Sequence, residues 1–259
     1  MNKILLFSVT GSVNAGVCLS FGDSCRVWVD FFPDTKTPMF SFMTDEEWEH
    51  AKKNALLFPP DLVLFTHTHP DHFSPARARE FMSACPEVPL FLPKASVWDS
   101  ASKISPELFL THFGLTAARE ISGSTETFVL GGLTVRMLRT IHSGARFTSV
   151  PHYSFLFTFE GKQIFVSGDA LLTDEHLTDF LAGEPIDLAI LTFPWAATTV
   201  GRERVESAVR PSHVLLYHLP KDGEDPYGFR PSTRSCAPLL NVPDVRLLTD
   251  PFHREDYVL

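Results

Sequence analysis

Three histidines and an aspartate stand close together in this chain, at His67, His69, Asp71 and His72. Imidazole and carboxylate are suitable ligands for Zn²⁺, Mn²⁺ or Fe²⁺. The cluster directly follows the apolar run 61–66, which is typical of a buried strand that would hold the loop rigidly. Residues two apart in an extended segment point the same way, so His67 and His69 can reach one ion together. The turn that follows would direct Asp71 and His72 toward a second ion. A histidine-rich surface loop is the weaker alternative, since this pattern arises by chance in roughly one chain in a thousand.

The pattern His-x-His-x-Asp-His after a buried strand resembles the signature of the metallo-β-lactamase superfamily. The resemblance implies an α/β fold, a four-layer αββα sandwich with a two-metal site between its sheets. It also implies three further ligands downstream, in the order His, Asp, His, each at the end of a strand.

Two of the downstream ligands have one clear candidate each. Asp169 follows the strand-like run 163–167 and matches the family's Gly-Asp motif, whose aspartate bridges both metals in that family. His218 ends the apolar run 214–217 and matches the final histidine. Alone, either residue would be explained by an ordinary turn or by core packing. Their order after the first motif is what favours the ligand role.

The middle histidine has two candidates. His142 directly follows the strand-like run 133–140, whereas His152 lies ten residues later, before Tyr153-Ser154. A tighter family pattern, in which the histidine precedes a Gly-Ser strand, favours His152. The strand-end position favours His142, as does a resemblance to the branch of bacterial ascorbate-6-phosphate lactonases, where a His-Ser pair precedes a longer loop. We predict His142 as the ligand. His152 is then either a substrate contact or a loop residue.

The resemblance thus implies a complete two-metal site. Metal one would be held by His67, His69 and His142, metal two by Asp71, His72 and His218, with Asp169 bridging. Two adjacent cations lower the pKa of a bridging water from about 16 toward 7, and the resulting hydroxide attacks a carbonyl or a phosphorus. Asp71 would accept the proton during catalysis. We expect two divalent ions, Zn or Mn foremost and Fe as the alternative.

The reaction class follows partly from the same motif. Di-iron members of the superfamily that reduce oxygen or nitric oxide usually carry Glu in place of the second histidine, so His69 favours a hydrolase. We expect a small-molecule lactone, ester or amide as substrate. A phosphodiesterase, or an inactive metal-binding protein of the same fold, is the alternative. Phe193-Pro194-Trp195 follows a predicted strand and would either form an apolar wall at the site mouth, with Trp195 as a substrate contact, or pack in the core. Ala170 replaces the threonine of the family's Gly-Asp-Thr motif and removes a hydroxyl near the metals.

The elements that position these residues can also be predicted. Thr44 with Glu47 three residues later forms a capping box that predicts a helix, and Ser74-Pro75 predicts a second. A third helix is expected at 202–210, and short helices and loops at 94–124. The predicted strands are 4–9, 17–21, 26–30, 61–66, 133–140, 154–159, 163–167, 188–192 and 214–217.

Composition limits the classes of protein. The 259 residues, 44% hydrophobic and 20% charged, suit one globular domain over 1–259. A net charge of −9 disfavours nucleic acid as a partner. The four cysteines show no paired spacing, and the apolar start is short, which favours a first strand over a signal peptide. No apolar run could span a bilayer. We expect a cytoplasmic protein with no membrane partner, and the sequence predicts no oligomeric state.

Overall fold

The computed structural model describes residues 6–33, 37–93 and 122–259. Its strands are β1 Leu6–Gly11, β2 Val17–Phe21, β3 Cys25–Val29, β4 Leu62–Leu64, β5 Leu90–Phe91, β6 Thr125–Leu130, β7 Leu133–Thr140, β8 His152–Phe159, β9 Lys162–Val166, β10 Leu188–Thr192, β11 His213–Tyr217, β12 Asp244–Leu247 and β13 Arg254–Val258. Its α-helices are α1 Asp45–Lys53, α2 Pro75–Ala84, α3 Glu175–Leu181, α4 Pro194–Ala197, α5 Thr199–Arg204 and α6 Phe229–Cys236.

These strands form two sheets. The first sheet has the order β13-β1-β2-β3-β4-β5, and the second has the order β12-β11-β10-β9-β8-β7-β6. In the second sheet, β9, β10 and β11 are parallel neighbours. Strand β7 is antiparallel to β8, which is antiparallel to β9, so β7 runs in the same direction as β9. The carboxyl ends of β7, β9 and β11 therefore meet at one edge of the sheet.

The two sheets and the helices form four layers, and an apolar cluster is packed between each layer and the next. One cluster lies between the sheets and includes Val9 and Leu19 of the first sheet with Phe157 and Ile190 of the second. A second cluster packs α1 and α2 against the outer face of the first sheet. The third packs the later helices against the outer face of the second sheet. The expected four-layer αββα sandwich is confirmed.

Local signals in the sequence explain where the first two helices begin. The backbone N–H of Glu47 donates to Thr44 Oγ1 at 3.2 Å, and that of Thr44 donates to Glu47 Oε2 at 2.7 Å, so the predicted capping box is present. Ser74 caps α2 by accepting from the N–H of Arg77 at 3.1 Å. Because α2 follows the histidine cluster directly, its capped start fixes one end of that loop.

Several elements differ from the sequence expectation. The third helix begins at Thr199 as α5 and continues as a π-helical turn over Val205–Val209. Strand β8 begins earlier than expected, at His152, because this residue pairs with Thr140. Strands β5, β6, β12 and β13 were not predicted. Of the region expected to contain short helices and loops, 94–121 lies outside the described residues. Among the helices that are described, none is long and apolar enough to cross a membrane.

Candidate metal centre

The predicted ligands converge from both sheets. His67 to His72 follow β4 of the first sheet, while the other three candidates follow β7, β9 and β11 of the second. Those three strands end at the same sheet edge, so His142, Asp169 and His218 face the loop after β4. Topology therefore brings together residues that lie up to 151 positions apart in the chain.

One group of donors is formed by His67, His69 and His142. One ring nitrogen of each lies within 4.8 Å of the others. The Nε2 atoms of His67 and His142 are 3.1 Å apart. His67 and His142 are buried, and His69 is half-buried. This is the set expected at metal one.

A second group is formed by Asp71, His72 and His218, whose donor atoms also lie within 4.8 Å of one another. The Nε2 atoms of His72 and His218 are 2.9 Å apart. Asp71 Oδ2 lies 3.6 Å from Nε2 of His218 and 3.9 Å from that of His72. This is the set expected at metal two.

Asp169 lies between the two groups. Its Oδ2 is 3.5 Å from His72 Nε2 and 3.8 Å from His142 Nε2, while its Oδ1 is 3.6 Å from His218 Nε2. A carboxylate that faces histidines of both groups fits the bridging role expected for it.

Gly168 allows Asp169 to reach this position. Its φ is +53°, and a Cβ added there would come within 2.7 Å of His152 Nε2 and 2.8 Å of Thr66 Cγ2. Glycine alone tolerates both the left-handed backbone and the close contact. Hence the Gly-Asp motif is a steric requirement of the site.

Hydrogen bonds on the far side of the rings fix which nitrogen faces the centre. Buried Asp30 accepts from the N–H and the hydroxyl of Thr66 at 2.8 and 2.6 Å, and lies 2.9 Å from His72 Nδ1. Because the Thr66 hydroxyl donates its hydrogen bond to Asp30, it accepts one from the N–H of His67 Nδ1, 2.9 Å away. His142 Nδ1 lies 2.5 Å from the carbonyl of Ser143 and donates to it. In neutral His67, His72 and His142 the proton thus sits on Nδ1, and the Nε2 lone pair faces the centre.

The electrostatics of the centre suit a cation. Burial lowers the pKa of His67 well below its usual range and that of His69 to about 4, so both rings are in the neutral, ligand-competent form at neutral pH. Burial also opposes charge on His72, but Asp169 and Asp30 outweigh it and raise the pKa of this ring well above its usual range. Burial opposes charge on Asp169 as well, yet His218 and His72 hold its pKa well below its usual range. The carboxylates thus attract positive charge to this point.

The residues present fit two divalent cations. Zn–N bonds of about 2.0–2.1 Å in tetrahedral geometry separate two nitrogens by about 3.3 Å, close to the spacing of the Nε2 pairs. Bare nitrogen lone pairs packed this closely repel one another unless a proton or a metal ion lies between them. Five histidines and two carboxylates are also a donor set typical of Zn²⁺, Mn²⁺ or Fe²⁺.

Neither of the two predicted substrate contacts is exposed to solvent. His152 is fully buried, and its ring lies 5.2 Å from that of His67 and 5.4 Å from that of His142. Its Nδ1 pairs with Thr140 Oγ1 at 2.6 Å, so it lies behind the centre, against Gly168. Trp195 is 1% exposed in the outer core with Leu191 and Val205. This placement fits the packing alternative, because no face of the indole is open to a ligand.

Sequence reasoning missed Asp30 and Thr66, which orient the ligands, and Phe40 and Phe147, which cover them. The Phe40 ring lies 4.2 Å from that of His218, and the Phe147 ring 4.8 Å from that of His69. The only signal for Asp30 was its position at the end of the predicted strand 26–30. Nothing in the local sequence connects it with His72.

Comparisons with known proteins place this geometry in a family. The family model described as "Beta-lactamase superfamily domain" matches residues 26–216. A search of curated protein sequences finds no match.

Three solved structures show the same fold. The metallo-beta-lactamase fold protein YhfI from Bacillus subtilis has a TM-score of 0.64 and 16% identity, covering 98% of this chain and 100% of that one. Igni18, a metallo hydrolase from the archaeon Ignicoccus hospitalis, has a TM-score of 0.57 and 20% identity, covering 97% and 98%. CmlA, a diiron beta-hydroxylase from Streptomyces venezuelae, has a TM-score of 0.58 and 16% identity, covering 98% of this chain and 54% of that one. A hydrolase and a hydroxylase share the fold, so the fold alone does not choose the reaction. Because this family model matches residues 26–216, which is more than half of the chain, the chain belongs to the metallo-β-lactamase superfamily.

Proposed function

We propose that this chain is a dinuclear metal-dependent hydrolase that acts on a small-molecule lactone, ester or amide. The observation that carries the proposal is the pairing of Nε2 atoms at 2.9 and 3.1 Å around Asp169. His67, His69 and His142 would hold one ion, and Asp71, His72 and His218 the other. The finer resemblance to ascorbate-6-phosphate lactonase-like proteins contributes one point to this proposal, which is a preference for lactones.

The metal ions would be Zn²⁺ or Mn²⁺, with Fe²⁺ as the alternative, because the His/Asp donor set accepts all three. When bound, two such ions supply Lewis acidity and make hydroxide available at neutral pH. The chain's own residues would hold the ions in place and move protons. Asp71, 8% exposed, has its Oδ2 between His72 and His218, where it can accept the proton of the attacking water.

The histidine at position 69 supports hydrolysis over oxygen chemistry. The superfamily's oxygen- and nitric oxide-reducing di-iron members, as stated above, usually carry Glu there. With histidine in that position the donor set is five imidazoles and two carboxylates, a set that accepts Zn²⁺, which acts as a Lewis acid without redox change.

Steady-state assays on purified protein loaded with Zn²⁺ or Mn²⁺ test the proposal. The substrates are p-nitrophenyl esters, simple lactones and bis-p-nitrophenyl phosphate. We expect turnover of an ester or a lactone, and at least a hundredfold loss of kcat/KM in His69→Ala. The control is His176→Ala, which removes an exposed histidine of α3 and leaves kcat/KM unchanged.

The other outcomes would replace the proposal. Turnover of the phosphodiester alone would make the chain a phosphodiesterase. A fully metal-loaded protein that turns over none of these substrates would make it a non-catalytic metal-binding protein.

A further inference from the structure

Four aromatic side chains lead outward from the metal centre. The Phe40 ring lies 4.2 Å from that of the ligand candidate His218 and 5.9 Å from the ring of Phe229. Phe229 in turn stacks on Phe193 at 4.6 Å and on Tyr227 at 5.7 Å. We call Phe40, Phe193, Phe229 and Tyr227 the aromatic shelf.

The side chains of the shelf are partly open to solvent, whereas most other phenylalanines that the structure describes are buried. Tyr227 is 60% exposed, and the three phenylalanines of the shelf are half-buried. Phe32 and Phe65, by comparison, are completely buried in the core. Adjacent apolar rings left exposed beside a reactive centre are typical of a ligand-binding surface.

A cavity of about 490 Å³ adjoins the shelf. Of the four shelf residues, Phe40 lines it, next to Thr37 and Pro38. The loop 222–226 and the α6 residues Arg230, Pro231 and Arg234 form the rest of its wall. Small-molecule sites commonly enclose about 300–1,000 Å³. The cavity therefore has room for a substituent of a substrate whose reacting group lies at the metals.

The charges around this cavity disfavour an anionic substituent. Asp222 and Glu224 contribute two carboxylates to the wall, and Asp225 contributes a third, whose oxygens accept from the backbone N–H groups of Phe229 and Arg230. The Arg230 guanidinium is already engaged, at 3.1 Å from Asp250 Oδ1 and 3.1 Å from the carbonyl of Pro220. Arg234 also lines the cavity, so one cation not tied to Asp250 faces three acidic groups. A phosphate or carboxylate placed here would be repelled.

The neighbouring lysine does not change this balance. Lys221 Nζ lies 2.7 Å from Glu47 Oε1, and this ion pair is largely shielded from solvent. It ties the loop after β11 to the start of α1. The lysine is thus committed to the fold and is not available to bind an anionic substrate.

We propose that the aromatic shelf binds a flat, apolar and non-anionic substituent, such as an aryl group, on the lactone or ester that the metal centre hydrolyses. This inference rests on the proposed hydrolase function for the identity of the reacting bond. The stacking surface does not rest on that function, because it is formed by the shelf and by the cavity beside it. Of the segment Phe193-Pro194-Trp195, Phe193 belongs to the shelf, whereas Trp195 lies in the outer core.

Three lactones that differ in one substituent test the inference. They are γ-butyrolactone, its γ-phenyl derivative and its γ-carboxy derivative. Each is measured by kcat/KM and, independently of turnover, by isothermal titration calorimetry on metal-loaded protein. We expect the phenyl lactone to bind and react about tenfold better than γ-butyrolactone, because ring stacking adds to apolar burial. We expect the carboxy lactone to be the poorest ligand.

Variants connect this preference with the shelf. Tyr227→Ala and Phe229→Leu should each reduce the phenyl preference, the ratio of kcat/KM for the phenyl lactone to kcat/KM for γ-butyrolactone, about threefold to tenfold. Val129→Ala is the control, since Val129 is 64% exposed on the edge strand β6 and belongs to no part of the site.

The outcomes separate the two proposals. Turnover of γ-butyrolactone without a phenyl preference, or with a preference that both variants retain, overturns the shelf and leaves the hydrolase. Phenyl-dependent binding that is lost in both variants, without turnover of any lactone, supports the shelf and counts against the hydrolase. Absence of both binding and turnover contradicts both.

Discussion

At the scale of single residues, Asp30 orients the histidines of the centre without being a candidate ligand. It accepts three hydrogen bonds, two from Thr66 and one from His72 Nδ1, and through them it sets the orientation of two histidine rings. The ligands themselves could be predicted, because their types and order follow a motif. Asp30 could not, because its partner His72 lies 42 residues away and only folding brings the two together.

Asp30→Asn should weaken metal binding. An amide offers one acceptor oxygen and one donor group where three donors converge, so at least one donor faces another. We expect about a 10–100-fold loss of metal affinity, measured by competition with a chromogenic chelator. Asp61→Asn is the control, because Asp61 accepts only the backbone N–H of Arg26 at the protein surface. Equal affinities of Asp30→Asn and wild type would contradict the assigned role.

At the scale of elements, turns and caps place the ligands. Gly168 and Gly161 both have positive φ, but only Gly168 has neighbours that a Cβ would overlap. Sequence reasoning found the glycine through its motif, yet could not show that His152 and Thr66 fill the space beside it. The buried position of His152 was missed for the same reason: the pairing of β7 with β8 places it, and the local sequence does not.

The two glycines form a matched pair of variants. Gly161→Ala should cost about 1–2 kcal/mol of stability, the penalty for a left-handed non-glycine residue. Gly168→Ala adds the steric overlap and should cost about 2–5 kcal/mol in total, with a loss of metal content. Urea unfolding and metal analysis measure both effects. An equal cost for the two variants would contradict the steric account.

The cap of α1 gives a milder prediction. Thr44→Ala removes the acceptor for the Glu47 N–H and should lower the free energy of unfolding by about 1 kcal/mol. Ser83→Ala, which removes only an exposed hydroxyl that donates to the Arg79 carbonyl, should change it by less than about 0.5 kcal/mol. If urea unfolding gave the same value for both variants, the capping box would not be stabilising α1.

At the scale of the whole molecule, the metal ions would connect the two sheets. His67 to His72 follow the first sheet, and His142, Asp169 and His218 follow the second. The sandwich itself could be predicted from the family motif and the apolar runs. Strands β5, β6, β12 and β13 could not, because all four lie at sheet edges. Strand β5 has only two residues, and the partly exposed residues of the other three form no continuous apolar run.

This cross-link predicts a stability that depends on metal. Saturating Zn²⁺ or Mn²⁺ at about a hundredfold over Kd should stabilise the fold by about 2.7 kcal/mol, or roughly 5–10 °C in Tm for a chain of this size. Removal of the metal with a chelator should reverse the gain. The same ion should raise the Tm of His69→Ala much less than it raises the Tm of wild type. An identical shift in that variant would indicate binding elsewhere on the protein.

The most direct test of the central claim is elemental analysis of the reconstituted protein beside His142→Ala and His152→Ala. The two donor groups bridged by Asp169 predict two equivalents of transition metal in wild type and in His152→Ala, and fewer in His142→Ala. Less than one equivalent in wild type, or equal content in wild type and His142→Ala, would contradict the proposed dinuclear centre.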